Sequence, residues 1–211
     1  MPSWLDGLIL FLPMDEGSGH PKDFSSYKNH GTNYGASWVD GKYGKALSFD
    51  GVNDYMEMAH SPSLDIRSAI TVALWVKRIS SKPWGYFIAK GADTAYQFRE
   101  DAEGEFLFTC RIAGAYKDVF TDIQIVIGEW HYMAGTYDGS AVKAYWDGAH
   151  VAGKDVAATG LIDSTTQVLR IGAHGGAAPG NYTNAVIDEP RIFKRALSAA
   201  EIQRVMNMRG I

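Results

Sequence analysis

The sequence contains a single cysteine, Cys110, in 211 residues. One thiol cannot form an intramolecular disulfide, so packing or a bound metal must stabilise the fold. We expect Cys110 to be a small core residue rather than a reactive thiol. Long apolar runs are also missing: none approaches the roughly 20 residues that span a bilayer, which argues against membrane insertion. The start of the chain lacks a basic stretch followed by an apolar one, so no signal peptide is expected in it.

Positive charge is scarce as well. Lys and Arg total 20 against 24 Asp and Glu, which gives a formal net charge of −4, and no basic run occurs. Nucleic-acid binding depends on clustered Lys and Arg that displace counterions from phosphates. Nucleic acid is therefore excluded as a partner.

What the sequence does contain is a repeated two-residue alternation of apolar and polar side chains, typical of half-buried strands. In residues 70–76, Ile70, Val72, Leu74 and Val76 share one face, which we expect to point inward. Five Asp-Gly pairs, suited to tight turns, separate such runs. Similar strand-like runs cover residues 106–112, 129–137, 142–146, 168–171 and 185–193. The pattern predicts one all-β domain over residues 1–211, a two-sheet antiparallel jelly-roll sandwich.

One helix is predicted near the end of the chain, over residues 198–209. Ser198 and Glu201 have the spacing of a capping box, and Ile202, Val205 and Met206 follow at helical spacing. Gly210 is expected to end this helix.

Several short motifs follow one another along the chain, at residues 12–19, 23–31, 44–51, 54–55, 70–76, 130–139, 145–148, 169–172 and 187–198. Their order resembles the laminin-G-like branch of the concanavalin A-like lectin/glucanase superfamily. The resemblance covers nearly the whole chain and implies a jelly-roll fold. Pro190 departs from the pattern, so its part of the closing strand should lie at an edge or a bulge. Residues 82–101 and 172–184 match no motif and are expected to be specific loops.

No arrangement of acidic residues indicates glycosidase chemistry. Glucanases of the superfamily carry a Glu-x-Asp-x-x-Glu strand, which this chain lacks. Asp188 and Glu189 are adjacent, so on a strand they would point to opposite faces. The acidic residues 100, 101, 103 and 105 are expected in a solvated turn, and no His-x-x-His pair suggests zinc. The sequence therefore favours a protein that is not an enzyme.

Aromatic side chains offer a different chemistry, because sugar rings stack on Trp and Tyr while polar groups recognise their hydroxyls. The tryptophans within strand motifs are expected in the core. The aromatics in or beside the unmatched stretches are candidates for ligand contacts, and we select Trp84, Tyr96, Tyr116 and Tyr182.

Three functions remain in competition. The first is a carbohydrate-binding module or lectin, and the second is a structural or adhesion protein, such as a surface or phage-virion component, that binds a protein partner. The third is a glycan-cleaving enzyme, which the residues favour least. The family resemblance implies an extracellular or virion-associated location, and fold alone cannot choose among the functions.

The resemblance also implies a structural calcium ion that joins the two ends of the domain. Asp23 and Asp188 would be its charged ligands, and Asn29 would supply another oxygen. Calcium takes six to eight oxygens at about 2.3–2.6 Å, which suits carboxylates and loop carbonyls. The alternative is that Asp23 closes an Asx-turn and that Asp188 pairs with an arginine such as Arg191.

Overall fold

Strands with alternating apolar residues form two antiparallel sheets in the computed structural model, which describes residues 5–209. This confirms the predicted jelly-roll sandwich with one short helix near its end. The elements are β1 (Leu8–Phe11), β2 (Thr32–Tyr34), β3 (Ser37–Asp40), β4 (Lys45–Asp50), β5 (Tyr55–Met58), a 3-10 helix (Pro62–Leu64), β6 (Ile70–Ser80), β7 (Tyr86–Lys90), β8 (Tyr96–Glu100), β9 (Glu105–Ile112), β10 (Ala115–Gln124), β11 (Trp130–Tyr137), β12 (Ala141–Trp146), β13 (Ala149–His150), β14 (Val156–Ala157), β15 (Leu169–Ile171), β16 (Asn184–Phe193) and α1 (Ala199–Met206).

Nine strands form sheet A, in the order β13-β12-β11-β6-β16-β4-β3, with β1 also pairing β16 and β14 also pairing β12. Seven strands form sheet B, in the order β10-β9-β8-β7-β15-β5-β2. Strands β1 and β16 pair with Leu10 opposite Ile192 and Phe11 opposite Arg191. The first and last strands are therefore neighbours, as the resemblance implies.

The inner faces of the two sheets form the main core. Ile70, Val72, Leu74 and Val76 are all fully buried there, as the alternation predicts. Cys110 is fully buried in the same core, where burial raises the pKa of its thiol. A buried, protonated thiol fits the expected packing role.

The outer face of sheet A is covered by helix α1. Trp75 and Tyr132 project outward from the sheet and pack in one cluster with Ile202 and Val205 of the helix. The predicted capping box begins the helix: Ser198 Oγ accepts a hydrogen bond from the Glu201 amide, and the Glu201 carboxylate accepts one from the Ser198 amide. The helix ends at Met206, earlier than residue 209, and Gly210 lies outside the described residues.

The outer face of sheet B carries no helix among the described residues. Trp84, Tyr116 and Phe120 are between 42% and 52% exposed around this face. No described helix has the length and apolar content needed to cross a membrane. Sheet B therefore has exposed aromatic rings on its outer side, although outward side chains of its central strands, such as Gln97 and Thr109, are each only 2% exposed.

Three expectations from the sequence have different outcomes. Residues 82–101 are not mainly loop, because they form the hairpin β7–β8 in the middle of sheet B. Glu100, expected in a solvated turn, is fully buried and pairs with Arg78, with 2.9 Å between Nη1 and Oε2. Pro190 does lie at a bulge, since the register of β16 against β6 shifts between Asp188 and Arg191.

Replacing Gly135 with alanine should destabilise the sandwich by about 1–3 kcal/mol, as expected for overpacking. A Cβ on Gly135, in sheet A, would lie 2.4 Å from ring atoms of Phe108 in sheet B. Urea denaturation of G135A gives the cost, and the same change in a Phe108→Leu background should cost less because the ring is gone. Equal costs in both backgrounds would contradict this contact.

Candidate functional site

Aromatic and charged side chains surround the buried Tyr86 on the outer side of sheet B. Tyr86 begins β7, lies opposite Arg99 on β8 and forms a bridge with Tyr182. Tyr116 lies near enough to Tyr86 to contribute to raising its pKa. We call this set the Tyr86 cluster, which consists of Trp84, Tyr86, Asp93, Arg99, Tyr116, His174 and Tyr182.

Tyr86 anchors the cluster through its hydroxyl and its ring. The hydroxyl donates a hydrogen bond of 2.7 Å to Asp93 Oδ1, and the ring meets His174 edge-on with centroids 5.9 Å apart. Burial, followed by the hydrogen bond to Asp93, raises the pKa of Tyr86 well above its ordinary value. At neutral pH the side chain is therefore a neutral donor and not a base. Burial also lowers the pKa of His174, so its ring favours the neutral form.

Arg99 is held by aromatic faces. Its guanidinium carbon lies 4.8 Å from the Trp84 ring centroid and 5.9 Å from that of Tyr86. Trp84 itself is 42% exposed, so one part of its ring remains open to solvent. Stacking of this kind leaves the edge of a guanidinium free to donate hydrogen bonds.

Three residues with a left-handed backbone surround Tyr86. Trp84 has φ 65°, Asp93 has φ 53° and Asn181 has φ 48°. Trp84 is two residues from Tyr86 in sequence, Asp93 accepts the bond from its hydroxyl, and the Asn181 carbonyl accepts one from its amide at 3.0 Å. Such backbone is costly for a bulky residue, and it concentrates at functional sites where neighbouring structure holds it in place.

Arg170 fixes the segment that carries His174 and Tyr182. Its Nη1 donates to the carbonyls of His174 and Gly176 at 3.0 and 2.7 Å. Its Nη2 lies 2.8 Å from Glu57 Oε2, and the arginine is 4% exposed. The segment is also closely packed, because a Cβ on Gly175 would lie 2.5 Å from the Gly91 amide nitrogen. This side of the site is therefore preformed.

The four aromatic residues selected from sequence do not share one surface. Trp84 and Tyr116 are 42% and 52% exposed, and Tyr182 is partly buried beside Tyr55, with ring centroids 6.5 Å apart. Tyr96 is a correction: it is 1% exposed, and its hydroxyl donates to the Leu64 carbonyl at 3.0 Å. Tyr96 lies on β8 and points into the core, so it cannot contact a ligand on the surface.

Sequence reasoning missed the polar members of the cluster. Tyr96 and Phe98 alternate with Gln97 and Arg99, a pattern that would have placed the aromatics inward and Arg99 outward. The approach of Asp93 and His174 to Tyr86 had no comparable signal, because it depends on two turns that meet in space.

Asp23 and Asn29 form a turn whose oxygens are already used. The Asp23 carboxylate accepts hydrogen bonds from the amides of Phe11, Ser25 and Asn29 and from the Ser25 hydroxyl, at 2.7–2.9 Å. The Asn29 side chain bonds the Ile9 carbonyl and Ser63. This is the Asx-turn alternative, and these two residues do not fit the expected calcium site.

Asp188 lies on the other side of β1. The Leu12 amide bonds Pro190 in β16, whereas the Phe11 amide bonds Asp23, and successive amides of a strand point to opposite edges. The structure therefore does not bring Asp188 to Asp23. The expected arginine pairing is also absent from the described contacts, because Arg191 pairs with Glu189.

Asp188 nevertheless has features of a cation ligand. It is fully buried, Oδ2 accepts from the Tyr43 amide at 3.0 Å, and Oδ1 has no hydrogen-bond partner among the described residues. Burial, with the nearby charges of Glu189 and Asp15, raises its pKa to about 7. Asp188 Oδ2 and the carbonyls of Tyr43 and Lys45 each lie 2.7 Å from the point that a Cβ on Gly41 would occupy. No group of three or more His, Cys, Asp or Glu suited to a metal occurs within residues 5–209, so carbonyls would have to complete such a site.

A known protein family matches most of this chain. A laminin-G-type family model, described as concanavalin A-like lectin/glucanases superfamily, matches residues 50–203. Pappalysin-1 from Mus musculus is 32% identical over 84 residues, which cover 40% of this chain and 5% of that protein. Human pappalysin-1 is 32% identical over 83 residues, again 5% of its length. The match thus spans a small fraction of these relatives.

Solved structures share the fold. Domain 4 of AbnA, an arabinanase from Geobacillus stearothermophilus solved with arabinotriose, has a TM-score of 0.77 and 20% identity, covering 95% of this chain and 98% of that one. The binding domain of Paraclostridial Mosquitocidal Protein 1 has a TM-score of 0.78 and 16% identity, covering 97% and 53%. The binding domain of Botulinum Neurotoxin DC, in complex with SialylT, has a TM-score of 0.73 and 15% identity, covering 97% and 52%.

Replacing Arg170 with methionine should loosen the segment 172–183. The carbonyls of His174 and Gly176 would lose their charged donor, at a cost of about 1–3 kcal/mol. Hydrogen–deuterium exchange should become faster in this segment, while Arg204→Met on the exposed side of α1 should leave it unchanged. Wild-type exchange in R170M would show that Arg170 does not hold the segment.

Proposed function

Since the chain belongs to the laminin-G-type family of the concanavalin A-like lectin/glucanases superfamily, we propose that it is a carbohydrate-binding module whose ligand lies against the exposed rings of the Tyr86 cluster on sheet B. The observation that carries the proposal is the Tyr86 cluster. The exposed ring of Trp84 lies against Arg99, Asp93 accepts the hydrogen bond of Tyr86, and the exposed ring of Tyr116 lies near Tyr86. Apolar faces with a few placed polar groups suit a sugar, which has both CH faces and hydroxyls.

The strained backbone supports the same assignment. A tryptophan at φ 65° is not what sheet pairing alone would select, and glycine would fit that backbone at lower cost. Because the Trp84 ring is exposed, contact with a ligand at the surface would explain why tryptophan occupies this position. A platform held by neighbouring contacts also loses little entropy when a ligand binds.

Proteins with the same fold favour a glycan among the possible ligands. Domain 4 of AbnA was solved with arabinotriose, and the neurotoxin DC domain with SialylT. Their identities of 20% and 15% transfer the fold and no particular sugar. For this chain the ligand class therefore rests on the cluster.

We propose that the module is not catalytic. Hydrolysis of a glycosidic bond uses two carboxyl groups about 5–9.5 Å apart across the scissile bond. Asp93 is the carboxylate of the Tyr86 cluster, and one of its oxygens is engaged by Tyr86. Glu100, on the neighbouring strand, is committed to Arg78.

A structural or adhesion role, as in a surface or virion component, is the second candidate. Ile79, Val126 and Ile127 are 44%, 47% and 57% exposed, and a bridge between Arg78 and Ile127 brings them together. Adjacent exposed apolar side chains favour a protein partner. Recovery of a partner without any sugar affinity would support this role over the first.

Alanine at Trp84 or Tyr116 should weaken glycan binding by about 10-fold or more, as for the main contacts of an interface. A glycan array identifies the best ligand, and isothermal titration calorimetry then measures each variant. Phe24→Ala removes an aromatic ring that is 51% exposed outside the cluster, so it should bind like the wild type. Tyr96→Phe should lower stability and leave affinity intact, because Tyr96 is buried. Absence of binding to any glycan, or wild-type affinity in both cluster variants, would reject the proposal.

We further propose a structural calcium ion at Asp188. Asp188 Oδ2 and the carbonyls of Tyr43 and Lys45 converge on one point and are the hard oxygen donors that calcium prefers, while Asp188 Oδ1 has no hydrogen-bond partner among the described residues. Asp15 is near enough to add negative charge. A bound ion would neutralise a buried carboxylate and would stabilise the fold, because the unfolded chain cannot assemble these donors.

Calcium should raise the melting temperature of the wild-type protein, and EDTA should reverse the increase. Asp188→Asn should abolish this response, because the buried charge is lost. Asp23→Asn should lower the melting temperature equally with and without calcium, because Asp23 serves hydrogen bonds in a turn. Melting curves for the three proteins test this, and a calcium-dependent response that persists in D188N would place the ion elsewhere.

A further inference from the structure

Arg99 lacks the carboxylate partner that most of the partly buried arginines have. Arg78, Arg111, Arg170, Arg191 and Arg195 each pair with a carboxylate. The side chain of Arg99, on the inner strand β8, forms no ion pair and no hydrogen bond within residues 5–209, and its Nε is buried without a partner. Among the described contacts its guanidinium thus meets aromatic rings and no carboxylate.

Aromatic contacts position this guanidinium. Trp84 and Tyr86 lie 4.8 and 5.9 Å from the guanidinium carbon, so the group is located without consuming its N–H donors. Arginine binds oxyanions that present two adjacent oxygens through two parallel hydrogen bonds, and a weakly hydrated guanidinium loses little when water leaves. The free edge of Arg99 therefore suits a carboxylate or a sulfate ester.

Neighbouring groups restrict the ligand further. Asp93 carries a negative charge close to Tyr86, and Arg111 is already paired with Asp163 at 3.2 Å. One unpaired guanidinium can bind one negative charge, and the Asp93 carboxylate bound to Tyr86 disfavours a densely charged chain. The open ring of Trp84, next to Arg99, is placed to stack on the sugar that bears this charge.

We infer that the site selects acidic saccharides, with a single anionic group of the bound sugar on Arg99 and the sugar ring on Trp84. This inference rests on the proposed carbohydrate-binding function and adds the chemical class of the ligand. Recognition by one charged pair predicts that affinity falls with salt, whereas stacking on Trp84 does not depend on salt.

The test compares oligosaccharides that differ in one group. An otherwise neutral oligosaccharide that carries one uronic acid, its methyl ester, and the same oligosaccharide with one sulfate ester in place of the acid are titrated calorimetrically into the wild-type protein, R99Q and R204Q. The free acid should bind at least about 10-fold more tightly than its ester, in line with a hydrogen bond between charged groups. R99Q should lose this preference while retaining the affinity for the ester. R204Q, with the same change of charge on α1, should retain it.

The outcomes separate the inference from the function on which it rests. Equal affinity for acid and ester, or a preference that survives in R99Q, overturns the inference and leaves carbohydrate binding intact if Trp84→Ala abolishes it. Tighter binding of the sulfated sugar than of the acid, lost in R99Q, supports an anion on Arg99 and assigns it to sulfate. A wild-type protein that binds no saccharide of a broad array rejects both the inference and the proposed function.

Discussion

Pairing of β16 on both edges is the interaction that the sandwich depends on. One edge of this strand bonds β6, and the other bonds β4 and then β1, so residues 184–193 join three segments from the first 80 residues. A bulge between Asp188 and Arg191 shifts the register halfway along, with Glu189 at φ 54°. Because of the bulge, β16 pairs with β4 before residue 189 and with β1 after it. Asp188 consequently lies beside the turn that follows β3, and Arg191 lies over Phe11, 4.1 Å from the ring centroid.

The two sheets then differ in what their outer faces can do. Sheet A buries aromatic residues such as Trp75 and Tyr132 under α1, so its outer face belongs to a second apolar core. On sheet B the outward side chains of the central strands include Gln97 opposite Thr109, and each of these two residues is only 2% exposed. The accessible part of sheet B lies where the rings of Trp84 and Tyr116 are exposed, and a ligand needs such an accessible surface on a rigid support. Its central hairpin β7–β8 supplies both Tyr86 and Arg99.

Much of this fold could be predicted because its signals are local. The alternation of Ile70, Val72, Leu74 and Val76 and the capping box of Ser198 and Glu201 each depend on neighbours in sequence. Tyr96 was misplaced because its hairpin matched no motif and was treated as a loop, although its own alternation with Phe98 points inward. Asp23 presents a different ambiguity. A carboxylate that serves backbone amides of its own turn has the same sequence neighbourhood as one that binds a metal, and only the positions of those amides distinguish the two cases.

The site could not be read from sequence because its geometry is maintained by distant contacts. Trp84, Asp93 and Asn181 adopt costly backbone conformations in three separate turns, and each is adjacent to Tyr86 or bonds it. Arg170 and Glu57 secure the turn that carries His174 from the neighbouring strands β15 and β5. Strain of this kind persists only when surrounding structure holds it, which here is the central part of sheet B. The turn that carries Trp84 also places its ring against the guanidinium of Arg99 before any ligand binds. The contacts that stabilise the sheet therefore also preorganise the site.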